Sequence, residues 1–277
     1  MSQTHEIYVC GHASKPHFTT HISPRAEVDH PQGQVVVTKD GFFASARLPD
    51  ADMLPMDLVK KLEGLIVGWS RRSDHLPRGD AHAAATPKFF GGGLKGDQDA
   101  RLAMTHSLVL ESHAVQLSAL ETQKELRTFL KKHLIPRVEK YFYSALDFPK
   151  ELFRSYQTAH AFVDYYTSIS CGRLFFNRTH TDDDLGLTIL VAVGECAHGG
   201  GFAHPTCGVV HAIRAGHILL VNPEQPHCTS EFGDAHATRH MIAVFVSVNA
   251  WRACVTSAAV AQANGLCTFQ KQRKRKR

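Results

Sequence analysis

The sequence carries nineteen histidines, and only His180 has an acid two residues later, Asp182. On an extended segment, residues i and i+2 point to the same side. An imidazole and a carboxylate can therefore be presented to one ion while Thr181 faces away. A third ligand has to come from elsewhere in the chain. The best candidate is His227. It follows Gly216-His217-Ile218-Leu219-Leu220-Val221-Asn222-Pro223, a turn, an apolar strand and a proline-bounded corner that can aim a side chain back towards the first pair.

Two histidines and one carboxylate make the facial set that suits iron(II), leaving the opposite face open for a bidentate 2-oxo acid and dioxygen. Zinc also accepts two histidines and a carboxylate, but the sequence has no His-Glu-x-x-His helix. Twelve residues after His227 comes Arg239, at the start of an apolar run, Met241–Val248. With strand periodicity Arg239 shares a face with Met241, Ala243 and Phe245, and a cation entering an apolar interior needs an anionic partner. A dicarboxylate cosubstrate would supply one, gripped by the guanidinium fork. The other reading is a rim arginine paired with Asp234 or Glu231. A second metal reading is a zinc knuckle of Cys196, His198, His204 and Cys207, although Gly199-Gly200-Gly201 between them equally suits a turn.

Several elements have to position these residues. Gln34–Thr38 and Phe42–Ala46 flank Lys39-Asp40-Gly41 and predict a hairpin. Leu58, Val59, Leu62, Leu65, Ile66 and Trp69 recur at helical spacing behind Pro55. Residues 70–98, with Gly91-Gly92-Gly93, predict a long loop or a lid. Residues 99–162 read as helical. Leu126, Phe129, Leu130 and Leu134 form one stripe; Val138, Tyr141, Phe142 and Ala145 form another after a break at Pro136; Leu152, Phe153 and Tyr156 begin a third helix. From about residue 163 the texture becomes strands: Val163–Ser170, Leu187–Val193, Val209–Ile213, Ile218–Val221 and Met241–Val248, with Leu174–Asn177 as a further candidate. A closing helix is expected around Trp251–Gln262. Helices first and clustered strands afterwards predict an α+β domain, its sheet structure a sandwich or barrel with helices buttressing one side.

The chain has 277 residues and a net charge of +5, but the charge is not spread over it. Residues 271–277 hold six of the 31 basic residues, leaving 25 against 26 acidic ones. Such a cluster reads as a nuclear localisation signal or a nucleic-acid tether, or else as a solvated terminus. No apolar run is long enough for a membrane helix, and the N-terminus lacks signal-peptide character. Seven scattered cysteines do not read as a disulfide framework. An intracellular protein is expected, nuclear if the tail is a targeting signal and cytoplasmic otherwise.

Taken together, His180-x-Asp182, the distal His227 and then Arg239 resemble the core of the 2-oxoglutarate/iron(II) dioxygenase superfamily, as do the Gly-Gly-Gly-Phe of 199–202 and the approach to His227. The resemblance covers Phe175 to Val248. It implies a double-stranded β-helix (jelly roll) core over 163–265, with 1–162 as a buttressing helical part of the same domain and 266–277 as a basic tail. It implies iron(II) on His180, Asp182 and His227, 2-oxoglutarate paired with Arg239, and oxidation of a substrate C–H bond by dioxygen with release of succinate and carbon dioxide. Within the superfamily the chain is similar in class to the ten-eleven-translocation and J-binding-protein enzymes, which oxidise methyl groups of pyrimidines in nucleic acid. Where those carry His-Arg-Asp-x-x-Asn, this chain reads His180-Thr181-Asp182-Asp183-Asp184-Leu185. Hydroxylation of a protein side chain (prolyl, lysyl or asparaginyl), hydroxylation of a small molecule, and binding without catalysis remain alternatives.

Overall fold

A computed structural model of the chain describes residues 6–10, 26–28, 31–38, 42–70, 89–96, 102–104, 114, 117, 121, 125–145, 168–173, 179–194, 200–206, 208–230, 240–248 and 251–252. The expected hairpin forms as β3 (Gln34–Thr38) and β4 (Phe43–Arg47), antiparallel with an irregularity between Val36 and Val37. Its alternation is not the usual apolar and polar faces, because both sides are covered: every described residue from Gln34 to Val37 and from Phe43 to Arg47 is buried. β4 joins β11 (Ile218–Val221), which pairs with β8 (Thr188–Ala192), then β13 (His240–Phe245), β7 (Ser168–Arg173), β5 (Phe89–Gly96) and β6 (Leu102–Met104). With β1 (Glu6–Cys10) parallel to β3 at the other edge, the large sheet has nine strands, antiparallel in its other pairings. A smaller sheet runs β12 (Cys228–Thr229), β9 (Phe202–His204), β10 (Val209–His211) and β2 (Ala26–Val28), with β2 parallel to β10.

The large sheet has a different core on each face, as strand periodicity requires. On one face Val35, Ala46, Ile189, Val191, Ile218, Leu220, Ile242 and Val244 pack with Val59, Leu62, Phe129, Leu130, Leu134, Val138 and Tyr141. The last seven come from helix α1 (Met56–Ser70) and the helical stretch 125–145, so the predicted stripes are the sides of the helices that buttress this sheet. On the other face Ala192, Leu219, Val221 and Met241 meet Phe202 of the small sheet and Ile213. The space between the two sheets is where the candidate ligands lie.

Three expectations were wrong in instructive ways. Pro136 does not break the helix. It is the second residue of α2 (Ile135–Ala145), directly after a π-helical turn, Leu130–Leu134. Proline removes one N–H and clashes with the preceding turn, and a wider turn relieves both. The stretch 70–98 is also not all loop, because β5 occupies Phe89–Gly96 and pairs with β7 from Phe89 through Gly93. Glycine weakens a strand by its entropy, but backbone pairing needs no side chain, so propensity alone misreads Gly91-Gly92-Gly93. Within 99–162, β6 is a strand rather than a helix. The third helix, the strand at Leu174–Asn177 and most of the closing helix lie outside the described residues.

Candidate functional site

The corner leading to His227 is built by Asn222 and Pro223. Asn222 donates from its side chain to Phe43 O (3.0 Å) and from its backbone to Ala44 O (2.9 Å), which ties the corner to β4. Its side-chain oxygen accepts from Glu224 N–H at 3.1 Å, the local bond that lets asparagine start a turn. The chain then returns as His227, which exchanges both backbone hydrogen bonds with His180 at 3.0 Å each. Asp182 N–H donates to Pro223 O at 2.9 Å. The two separate segments are thus stitched by three backbone bonds around the three side chains.

His180 Nε2 lies 3.5 Å and His227 Nε2 3.4 Å from the same oxygen, Asp182 Oδ2. One donor atom from each residue falls within 4.8 Å of the others. Both imidazoles are nearly enclosed, while Asp182 remains 43% exposed, so the cluster has a walled side and an open one. His227 Nδ1 donates to Gln225 O at 2.8 Å, and Phe202 stacks on the ring with centroids 5.3 Å apart. With Nδ1 as the donor, a neutral His227 turns a lone pair, not a proton, towards the Asp182 carboxylate. A proton or a metal ion has to stand between the two. Burial pushes the Asp182 carboxyl up, but the opposed imidazoles more than offset this and hold it well below the usual carboxylate range. Donors sharing one first-row ion with bonds of about 2.1 Å stand roughly 3–3.5 Å apart, which the two separations from Asp182 Oδ2 match. The donor set therefore fits a divalent metal.

The remaining candidates are placed differently. Arg239, Cys196, His198 and Cys207 lie outside the described residues, as does 271–277. His204 is described, and both its nitrogens are engaged, Nδ1 with Pro226 O (3.2 Å) and Nε2 with Ser45 Oγ (2.7 Å). In this arrangement it offers no lone pair to a zinc knuckle. Sequence reasoning passed over Gln225 and Ser45. The available signal was Ser45-x-Arg47, polar groups at period 2 in a strand with no solvent face.

No family model matches the chain, and no curated protein matches it. Solved structures do. NgTET1 in complex with 5mC DNA superposes with a TM-score of 0.55 at 12% identity, covering 89% of this chain and 83% of that one. The chain shares the fold of NgTET1. A prolyl-4-hydroxylase from Pseudomonas putida reaches 0.34 at 15% identity, over 70% of this chain and 88% of its own. The viral collagen prolyl hydroxylase of Paramecium Bursaria Chlorella virus-1 reaches 0.33 at 12%, over 69% and 91%. Of these three, the NgTET1 superposition alone is close enough to carry weight.

Proposed function

We propose that this chain is an iron(II)- and 2-oxoglutarate-dependent dioxygenase, with His180, Asp182 and His227 as metal ligands and its two sheets forming a double-stranded β-helix. The observation that carries the reading is the convergence of those three donors on one point between the sheets, in a fold shared with NgTET1. Bound there, iron(II) would supply oxygen activation coupled to decarboxylation of 2-oxoglutarate, giving succinate, carbon dioxide and an oxidised substrate. The protein's part is positional. Gln225 O fixes the His227 tautomer so that Nε2 is the coordinating atom. Asp182 contributes the single negative charge, and its exposed side marks where cosubstrate and substrate approach. Arg239 is assigned the distal carboxylate of 2-oxoglutarate, on the chemistry of a guanidinium entering an apolar strand.

For the substrate, the reading is a 5-methylpyrimidine in nucleic acid, with the basic segment 271–277 as a phosphate tether and nuclear address. Its support is the superposition on a protein bound to 5mC DNA and the concentration of charge in that segment. The test is mass spectrometry of products after incubation with iron(II), 2-oxoglutarate and, separately, methylated DNA, RNA and cell extract. Oxidised 5-methylcytosine with stoichiometric succinate is expected. Succinate with unmodified nucleic acid and a hydroxylated protein or metabolite would replace the substrate assignment. No succinate under any condition would remove the enzymatic one.

A further inference from the structure

Between the sheets runs a chain of buried polar side chains that the metal cluster itself does not use. It starts at the carbonyl oxygen of Pro226, next to His227. His204 Nδ1 lies 3.2 Å from that oxygen, and His204 Nε2 lies 2.7 Å from Ser45 Oγ. Ser45 Oγ lies 2.7 Å from His211 Nε2, and His211 Nδ1 lies 3.0 Å from the side-chain amide of Gln34. All four side chains are essentially inaccessible, at 1% exposure or less. The chain crosses the inter-sheet space repeatedly, because His204 and His211 belong to β9 and β10 whereas Ser45 and Gln34 belong to β4 and β3.

Only one order of donors satisfies it. Pro226 O can only accept, so His204 Nδ1 carries the proton. Burial keeps both rings neutral, so His204 Nε2 accepts from the Ser45 hydroxyl. Ser45 Oγ then accepts from His211 Nε2–H, and His211 Nδ1 must accept. Gln34 has to meet it with its NH2 group. As placed, the amide turns its oxygen to His211 and leaves Nε2 buried with no hydrogen-bond partner. Exchanging the oxygen and nitrogen, which fill the same envelope, lets the NH2 group donate to His211 Nδ1. The reverse order would oppose two lone pairs at Pro226.

The end of the chain matters because Pro226 C=O and His227 N–H belong to one rigid peptide plane. His204 holds its oxygen, and His180 O accepts from its N–H at 3.0 Å. The plane is clamped from both sides, and the His227 ring hangs from it. We propose that Ser45 and Gln34, supplied by the amino-terminal hairpin, are positioning residues for the metal ligand His227, acting through His204 on the Pro226–His227 peptide. The proposal rests on His227 being a metal ligand. It makes the hairpin part of the metal site as well as part of the large sheet.

Cobalt(II) titration of the full-length protein, followed by its visible ligand-field absorption, tests this. Ser45→Ala is expected to weaken cobalt(II) binding about tenfold to a hundredfold and to alter the absorption of the saturated complex. Gln34→Met, at the far end, is expected to act in the same direction by less. Asp50→Ala, which disturbs β4 outside the chain, is the control, expected to lower the urea midpoint without moving cobalt affinity. A folded Ser45→Ala protein with wild-type affinity and spectrum overturns the proposal, as does an equal loss in Asp50→Ala. If Ser45→Ala does not fold, the same criterion applies to Gln34→Met. If the wild-type protein binds no cobalt, or binds it equally after His180→Ala, the metal-site reading itself fails.

Discussion

Asp182 supplies the only negative charge among the three converging donors, and it faces both imidazoles through one oxygen. Removing it leaves two neutral nitrogens, too weak a set to retain a hard divalent ion. Asp182→Ala is therefore expected to abolish both metal binding, read by cobalt(II) titration, and succinate formation. Wild-type turnover in that variant would exclude the site. Arg239→Ala is expected to raise the KM for 2-oxoglutarate steeply, with lysine recovering only part, because a bidentate charged pair loses its fork. Unchanged succinate production at limiting 2-oxoglutarate would move the role to another cation. At this scale the sequence was legible where spacing carries geometry. His180-x-Asp182 could be read because an extended chain puts i and i+2 on one side. Ser45 and Gln34 could not. A lone serine or glutamine has no pattern of its own, and their partners, His204 and His211, are more than 150 residues away.

Strand β4 shows what was and was not readable in the elements. The β-branched run of β3, the aromatic start of β4 and the glycine turn between them announced a hairpin, but not that both faces of β4 are buried. Burial on both faces is what makes Arg47 unusual. It is 0% exposed, and its Nη1 donates to Asp50 Oδ1 at 2.7 Å, just beyond the strand. A buried guanidinium that loses its carboxylate is left with a charge that water reaches poorly. Asp50→Ala is expected to destabilise by on the order of 3 kcal/mol, read from the urea midpoint at pH 7; a shift within error would show that the pair contributes nothing net. Close approach fixes another element. A Cβ on Gly201 would stand 2.6 Å from both His211 O and Val210 Cγ1, so the glycine preceding Phe202 is what lets β9 and β10 close together. The glycine run was visible in the sequence; which of its members meets a carbonyl was not, because that depends on a neighbouring strand.

For the whole molecule, stability and charge are organised in separate places. The buried interior keeps His204 neutral, its imidazole pushed by burial down to about 3, and His211 well below its ordinary value. An unfolded histidine titrates near 6.5. The folded value is the lower one, so below that pH the unfolded chain takes up protons that the native state refuses. Stability is complete above about pH 6.5 and falls as the pH drops towards 3, by about 2 kcal/mol at pH 5 for His204, with His211 acting in the same direction. The metal-free protein should show this as a falling urea midpoint between pH 7.5 and 5, and a flat midpoint would contradict neutral burial of the pair. The formal positive charge, in contrast, is concentrated in 271–277, where six basic residues account for the whole excess over the acidic ones. If that segment is a tether, its effect is on capture and not on chemistry. Deleting it should leave the uncoupled conversion of 2-oxoglutarate to succinate at the wild-type rate. Binding to methylated DNA should weaken, and log affinity should fall less steeply with log salt, by about 0.9 for each phosphate contact removed. Nuclear accumulation of a tagged protein should fall in the same variant. An unchanged salt slope together with unchanged nuclear accumulation would leave the segment as a solvated terminus. The nucleic-acid assignment would then rest on the shared fold alone, and a fold is compatible with many substrates.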